Sequence, residues 1–264
     1  MKHLLLIAAL LGAGPLCAQD GPVPEAALQA QIVLLGEIHD NPHHHARQAA
    51  YVARLSPRAV VFEMLTSAQA GLITDENRHD RQGLAEALNW AQSGWPDFAM
   101  YHPIIAASGG AIYGGAVPRD AARSAMKEGI ASWFGPDAPR FGLADPLPAD
   151  QQQTRETLQM EAHCNALPDS LLPAMVGLQR LRDANLARAT LRALRETGGP
   201  VAVILGNGHA RKDWGVPAFL RHVSPQTPVF VIGQTEEDTH PDPNYDLTLS
   251  SQTVPREDPC KAFR

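Results

Sequence analysis

The sequence predicts an α/β protein with a mostly parallel central sheet flanked by helices and a helical insertion or cap. Three observations carry this. Five short apolar runs are continuous rather than alternating, as in strands covered on both faces. Helical spacing fills the gaps between them. The best runs end in glycine and polar residues, as strands do when they open onto a site beyond a parallel sheet.

The strand segments are 31–36, 59–62, 111–117, 201–205 and 228–232. The third is the weakest, because Gly114 and Gly115 interrupt it. Helices are predicted over 43–55, 84–92, 119–130, 151–166 and 171–196. Asp40-Asn41-Pro42 is a helix start, and the sequence TGGP after 196 is a glycine stop followed by proline. The stretches at about 66–108 and 150–196 exceed what simple crossovers need and are read as helical insertions.

The chain has 264 residues and a formal net charge of -6, which argues against binding nucleic acid by broad phosphate neutralisation. Residues 1–18 read as a secretory signal peptide, with a basic start, a short apolar run and a small residue at Ala18. Residues 19–264 then form a single domain in the periplasm or outside the cell. Cys17 raises the alternative of a lipoprotein anchor, but Leu16 occupies the place where such a signal needs a small residue. The remaining cysteines, Cys164 and Cys260, are an even pair in an exported chain, which invites a disulfide; two unrelated thiols are the other reading.

The chemistry gathers at three strand ends. The first run ends in Gly36-Glu37-Ile38-His39, the second in Glu63, the fourth in Gly206-Asn207-Gly208-His209. In a parallel sheet these ends face one crevice, so Glu37, His39, Glu63 and His209 are expected in one cluster. Mixed imidazole and carboxylate groups suit a divalent metal or a metal-free acid–base pair. The spacing matches no HExxH zinc motif, and neither a P-loop nor GxGxxG is present. His43, His44 and His45 fall about 100° apart on a helix, so at most one or two can face the crevice.

The segments LLGEIHDNPHHH, VFEM, WPDFAMYHPI, HCNALPDSLLPAMVGLQRLRDANLA and GNGHARKDWGVPAFL resemble the ChaN-type haem-binding uptake proteins of the wider Tiki/TraB and erythromycin-esterase-like superfamily. The resemblance runs from about residue 30 to 235 and implies haem as cofactor and partner in iron acquisition. Outer-membrane or periplasmic uptake components and a second copy of the chain, as a homodimer, are possible partners; the sequence does not give the oligomeric state. At superfamily level it carries over to Glu37, His39, Glu63, Gly206 and His209. Comparable residues support metal-dependent peptide hydrolysis in the Tiki branch, so a metal-dependent hydrolase is the alternative function.

Given haem, Tyr101 is the first donor to consider, beside Trp95, Phe98 and Met100, followed by His102 and His163. The bland reading of the aromatic block is a packed edge of the insertion. Arg180, Arg182 and Arg211 are cations that propionates would need, or simply a solvated helix face. No CxxCH is present, so c-type attachment is excluded.

Overall fold

The computed structural model describes residues 22–236, 243–258 and 260–261. Residues 1–18, expected from the sequence to be a signal peptide, and Cys17 with them, lie outside the described residues. The strands are β1 (Ile32–Glu37), β2 (Ala59–Phe62), β3 (Ala111–Gly114), β4 (Val201–Gly206), β5 (Val229–Glu236) and β6 (Leu247–Ser251). They form one sheet in the order β3-β2-β4-β1-β5-β6, parallel at every pairing.

The continuous apolar runs have a direct cause. In β1, Ile32 and Leu34 enter one core while Val33 and Leu35 enter the other. β2 and β4 divide their side chains in the same way. With both faces dry, neither set of alternating positions can be polar. A fully buried leucine or valine in such a layer contributes about 1.5–3 kcal/mol relative to exposure.

The helices are α1 (Glu25–Leu28), α2 (Pro42–Leu55), α3 (Ser67–Ala70), α4 (Arg81–Ala87), α5 (Phe98–Ala107), α6 (Arg119–Glu128), α7 (Ile130–Phe134), α8 (Ala149–Ala162), α9 (Leu172–Thr197), α10 (Asn207–Ala210) and α11 (Val216–Val223). The stretches read as insertions lie between β2 and β3 and between β3 and β4, and both lend helices to the flanking layers. From α5, Ile104 and Ile105 join Tyr51 and Val52 of α2 on one face. From α9, Leu181, Leu186 and Leu191 join Val216 and Leu220 of α11 on the other.

Local signals fix the helix ends. The Asn41 side chain accepts a hydrogen bond from the His43 N–H at 2.9 Å, and Pro42 fills the first turn. α9 stops at Gly198 in the left-handed region. The helix expected over 119–130 instead ends at Glu128. Gly129 has φ 92, which breaks the helical path, and α7 begins anew after it. β3 is shorter than expected, ending at Gly114.

Two features complete the frame. Cys164, just after α8, is disulfide-bonded to Cys260. Arg256 ties the C-terminal segment to Asp40 and Glu236 through paired hydrogen bonds.

Topology positions the site. β1 and β4 are neighbours, but the chain leaves them over opposite faces: α2 follows β1 on one side, and α10 and α11 follow β4 on the other. The helices therefore diverge beyond these two carboxyl ends and leave a crevice, the switch point at which open α/β sheets place ligands.

Candidate functional site

The crevice is built from the residues that follow β1, β2 and β4. Glu37, the last residue of β1, is 2% exposed. Its Oε1 accepts from His39 Nδ1 at 2.7 Å and from the Tyr101 hydroxyl at 3.0 Å. Its Oε2 stands 3.5 Å from His45 Nδ1. His45 gives its other ring nitrogen to the His39 carbonyl at 2.8 Å, so that nitrogen carries the proton. Burial raises the Glu37 pKa, but the His39 hydrogen bond and the charges of His45 and His39 outweigh it and hold the carboxyl below its ordinary value. Burial alone would lower His39, yet the bond to Glu37 and the charges of Glu63 and Glu37 leave it raised.

Glu63, directly after β2, accepts the Gly206 backbone N–H through Oε2 at 2.7 Å. Gly206 lets the ring approach: a Cβ here would stand 2.7 Å from His39 Nε2, so a larger residue would push the imidazole aside. Glu63 Oε1 lies 3.4 Å from His209 Nε2. His209 Nδ1 is 2.6 Å from Oδ1 of Asp183, a buried residue of α9. The imidazole is thus held between two carboxylates. Burial would lower the His209 pKa, but the charges of Glu63 and Asp183 raise it to about 9. Burial pushes the Asp183 carboxyl above its ordinary value.

The four residues expected at the strand ends therefore meet in one cluster. They form two pairs side by side: Glu37 is hydrogen-bonded to His39, Glu63 stands 3.4 Å from His209, and the charge of Glu63 acts on His39 across the gap. Among the described residues, no group of three or more His, Cys, Asp or Glu side chains is arranged to hold a metal ion.

The histidine run divides by direction. His43 is exposed. His45 turns inward to Glu37. His44 also turns inward rather than into solvent, because it lies on the buried side of α2. Its Nδ1 accepts the Ile38 N–H at 2.9 Å and its Nε2–H donates to the Thr235 carbonyl at 3.3 Å. Burial pushes it down to about 4, so it stays neutral.

The three haem-donor candidates are not brought together. Tyr101 reaches the crevice, but its ring is wholly buried against Trp90 and His45, and its hydroxyl is committed to Glu37. Burial, then the Glu37 charge, pushes its pKa up and keeps it protonated. It supports the crevice and offers no face to a porphyrin. His102 packs on Phe98, where burial lowers its pKa. His163 ends α8, with Nδ1 bonded to the Gln159 carbonyl at 2.8 Å. Of the arginines, Arg211 pairs with Asp213. Arg180 bonds to backbone carbonyls, and Arg182 reaches the cleft described next.

Sequence reasoning missed Asp183, and it left open which of His43, His44 and His45 faces the crevice. His45 and Asp183 both had a periodic signal. His45, Gln48 and Val52 follow i, i+3, i+7 on α2, and Val176, Asp183, Ala187 and Thr190 follow i, i+7, i+11, i+14 on α9. A carboxylate on that inner face needs a cationic partner.

Beside Glu63 the crevice opens into a cleft of about 530 Å³. Met64, Trp95 and Leu186 give it apolar surface, while Arg119 and Arg182 give it positive charge. The Trp95 ring meets His39 edge-on at 4.9 Å. Gln69, Asn89, Gln92 and Ser93 make the rest of the wall polar.

A family model described as haem-binding uptake, Tiki superfamily, ChaN matches residues 23–220. No curated protein matches the chain. Among solved structures, one described as cofacial heme binding to ChaN of Campylobacter jejuni is similar in fold, with a TM-score of 0.60 and 19% identity over 81% of this chain and 84% of that one. The type III effector HopBA1 is a more distant likeness, at TM-score 0.46 and 11% identity over 86% and 90% of the two chains.

Proposed function

The chain belongs to the ChaN family of haem-binding uptake proteins in the Tiki superfamily, and from that premise we propose that it is an exported protein that binds haem in this crevice for iron uptake. His39 carries the assignment. Its Nδ1 is given to Glu37, its side chain is 33% exposed, and its Nε2 has no hydrogen-bond partner among the described residues. An imidazole whose far nitrogen is fixed by a carboxylate is the arrangement that presents the near nitrogen to a metal.

Haem, when bound, supplies an iron that accepts an imidazole nitrogen. The chain's own residues do the rest. Glu37 fixes the tautomer and tilt of His39. Trp95, Met64 and Leu186 exclude water from an apolar ring. Arg119 and Arg182 are placed for propionates. Export is supported by the Cys164–Cys260 disulfide, since such bonds persist in oxidising compartments. Exchange of haem with outer-membrane or periplasmic uptake components, and pairing into a homodimer, belong to the same proposal.

One observation favours a second reading. The Asp183–His209–Glu63 array holds an imidazole oriented by one carboxylate and facing another, which is the geometry of a general acid–base. That would make the crevice a hydrolase site.

Titration of the purified mature chain with haem tests the first reading. A Soret band that saturates at a fixed stoichiometry is expected. Absorbance that only grows in proportion to added haem would remove it. Turnover of an ester or peptide that disappears in His209→Gln would support the second.

A further inference from the structure

A second recess lies where α8, α9 and α11 meet the loop before α8. Its volume is about 220 Å³, and it shares no lining residue with the cleft beside Glu63. Phe141, Trp214 and Phe219 line it, together with Arg155 and Arg180. The two guanidiniums are unusual in what they contact.

Arg155 is 7% exposed. It donates from Nη2 to the Trp214 carbonyl at 3.3 Å, and its guanidinium lies 5.1 Å from the centre of the Trp214 ring. Its Nε is buried without a partner. Arg180 donates to the Gly142 carbonyl at 2.7 Å and the Asp145 carbonyl at 3.0 Å. Both cations thus give their hydrogen bonds to backbone oxygens, which carry no formal charge. Two nearby carboxylates attract Arg155, but each is bonded elsewhere: Asp183 to His209 and Asp213 to Arg211. Burial lowers the pKa of both arginines, a sign of how poorly the charges are solvated.

A desolvated cation whose hydrogen bonds go only to uncharged oxygens costs free energy, and an added anion would offset that cost. We propose that this recess is a second ligand site, separate from the haem crevice, that binds a small planar organic carboxylate. The carboxylate would pair with the guanidinium charges of Arg155 and Arg180 that line the recess. The flat body would stack among Trp214, Phe141 and Phe219. Asp213 also lines the recess. That carboxylate is compensated by Arg211, so the aromatic lining sets the preference: an aromatic acid has a flat body to pack there and inorganic phosphate has none.

The test uses the full mature chain with benzoate as probe and inorganic phosphate as comparison. Calorimetry and the indole resonance of Trp214, followed in wild-type protein, should both show saturable benzoate binding at millimolar concentration. Arg180→Gln should weaken it by about tenfold or more. Ala218→Leu, which fills the recess but keeps both guanidiniums, should do the same. Circular dichroism shows whether each variant is folded. Four results would overturn the proposal: no saturation in wild-type protein, unchanged affinity in a folded variant, phosphate binding as tight as benzoate, or benzoate displacing haem competitively.

Discussion

His209 and Asp183 are joined across the two sides of the β4 connection: Nδ1 of the histidine that follows β4 stands 2.6 Å from a carboxylate oxygen on the helix that precedes it. The bond fixes the ring so that Nε2 points at Glu63.

The pair makes stability depend on pH. The His209 pKa is about 9 in the folded chain, against an ordinary value of 6.5. The folded state therefore holds the proton more tightly. This stabilisation is complete below pH 6.5 and is lost as pH rises through about 9. His39, also raised, acts in the same direction. The urea midpoint should fall over this window, and His209→Gln should flatten the fall. A level wild-type midpoint would show that the imidazole is not charged in the fold.

Glu63→Ala leaves the Gly206 N–H without its acceptor and His209 facing one carboxylate instead of two. The expected loss is about 1–3 kcal/mol of unfolding free energy, with a smaller loss for Glu63→Gln, which keeps an acceptor oxygen. Equal stability of Glu63→Ala and wild type would contradict the network.

Tyr101→Phe removes only the bond to Glu37. It should cost about 1 kcal/mol in urea unfolding, and the haem complex should keep an imidazole-type spectrum. A change of ligand type in this variant would mean that the tyrosine, not His39, meets the iron.

The disulfide closes a long loop, since Cys164 and Cys260 are 96 positions apart. Replacing both by serine should lower stability by about 2–4 kcal/mol, and a reductant should lower the wild-type melting temperature but not that of the variant. A reductant-insensitive wild type would contradict the bond.

Much of this was legible in the sequence because the signals were local. The continuous runs of β1, β2 and β4 reflect two dry sheet faces, and Asn41, Pro42 and Gly198 mark helix ends whatever their surroundings. The convergence of Glu37, His39, Glu63 and His209 followed from strand ends sharing one edge of a parallel sheet. What was hidden was direction. Tyr101 and His102 are adjacent in sequence, yet one turns into the crevice and the other away from it, and only the packing of α5 on α2 decides which. Asp183 lies on the inner face of α9, but its partner His209 is 26 positions away, beyond a strand. β6 was missed because Leu247–Ser251 mixes polar and apolar residues, as an edge strand can when it is only partly covered.

If His39 presents haem iron with its ligand, loss of its imidazole must change the haem complex. Haem titration of His39→Ala beside wild type tests it most directly, with His102→Ala as the control on the same haem preparation. Wild type and His102→Ala should give the same saturable Soret spectrum. His39→Ala should lose the imidazole-type spectrum and bind about tenfold or more weakly. A folded His39→Ala protein with the wild-type spectrum and affinity would place the iron elsewhere and contradict the account.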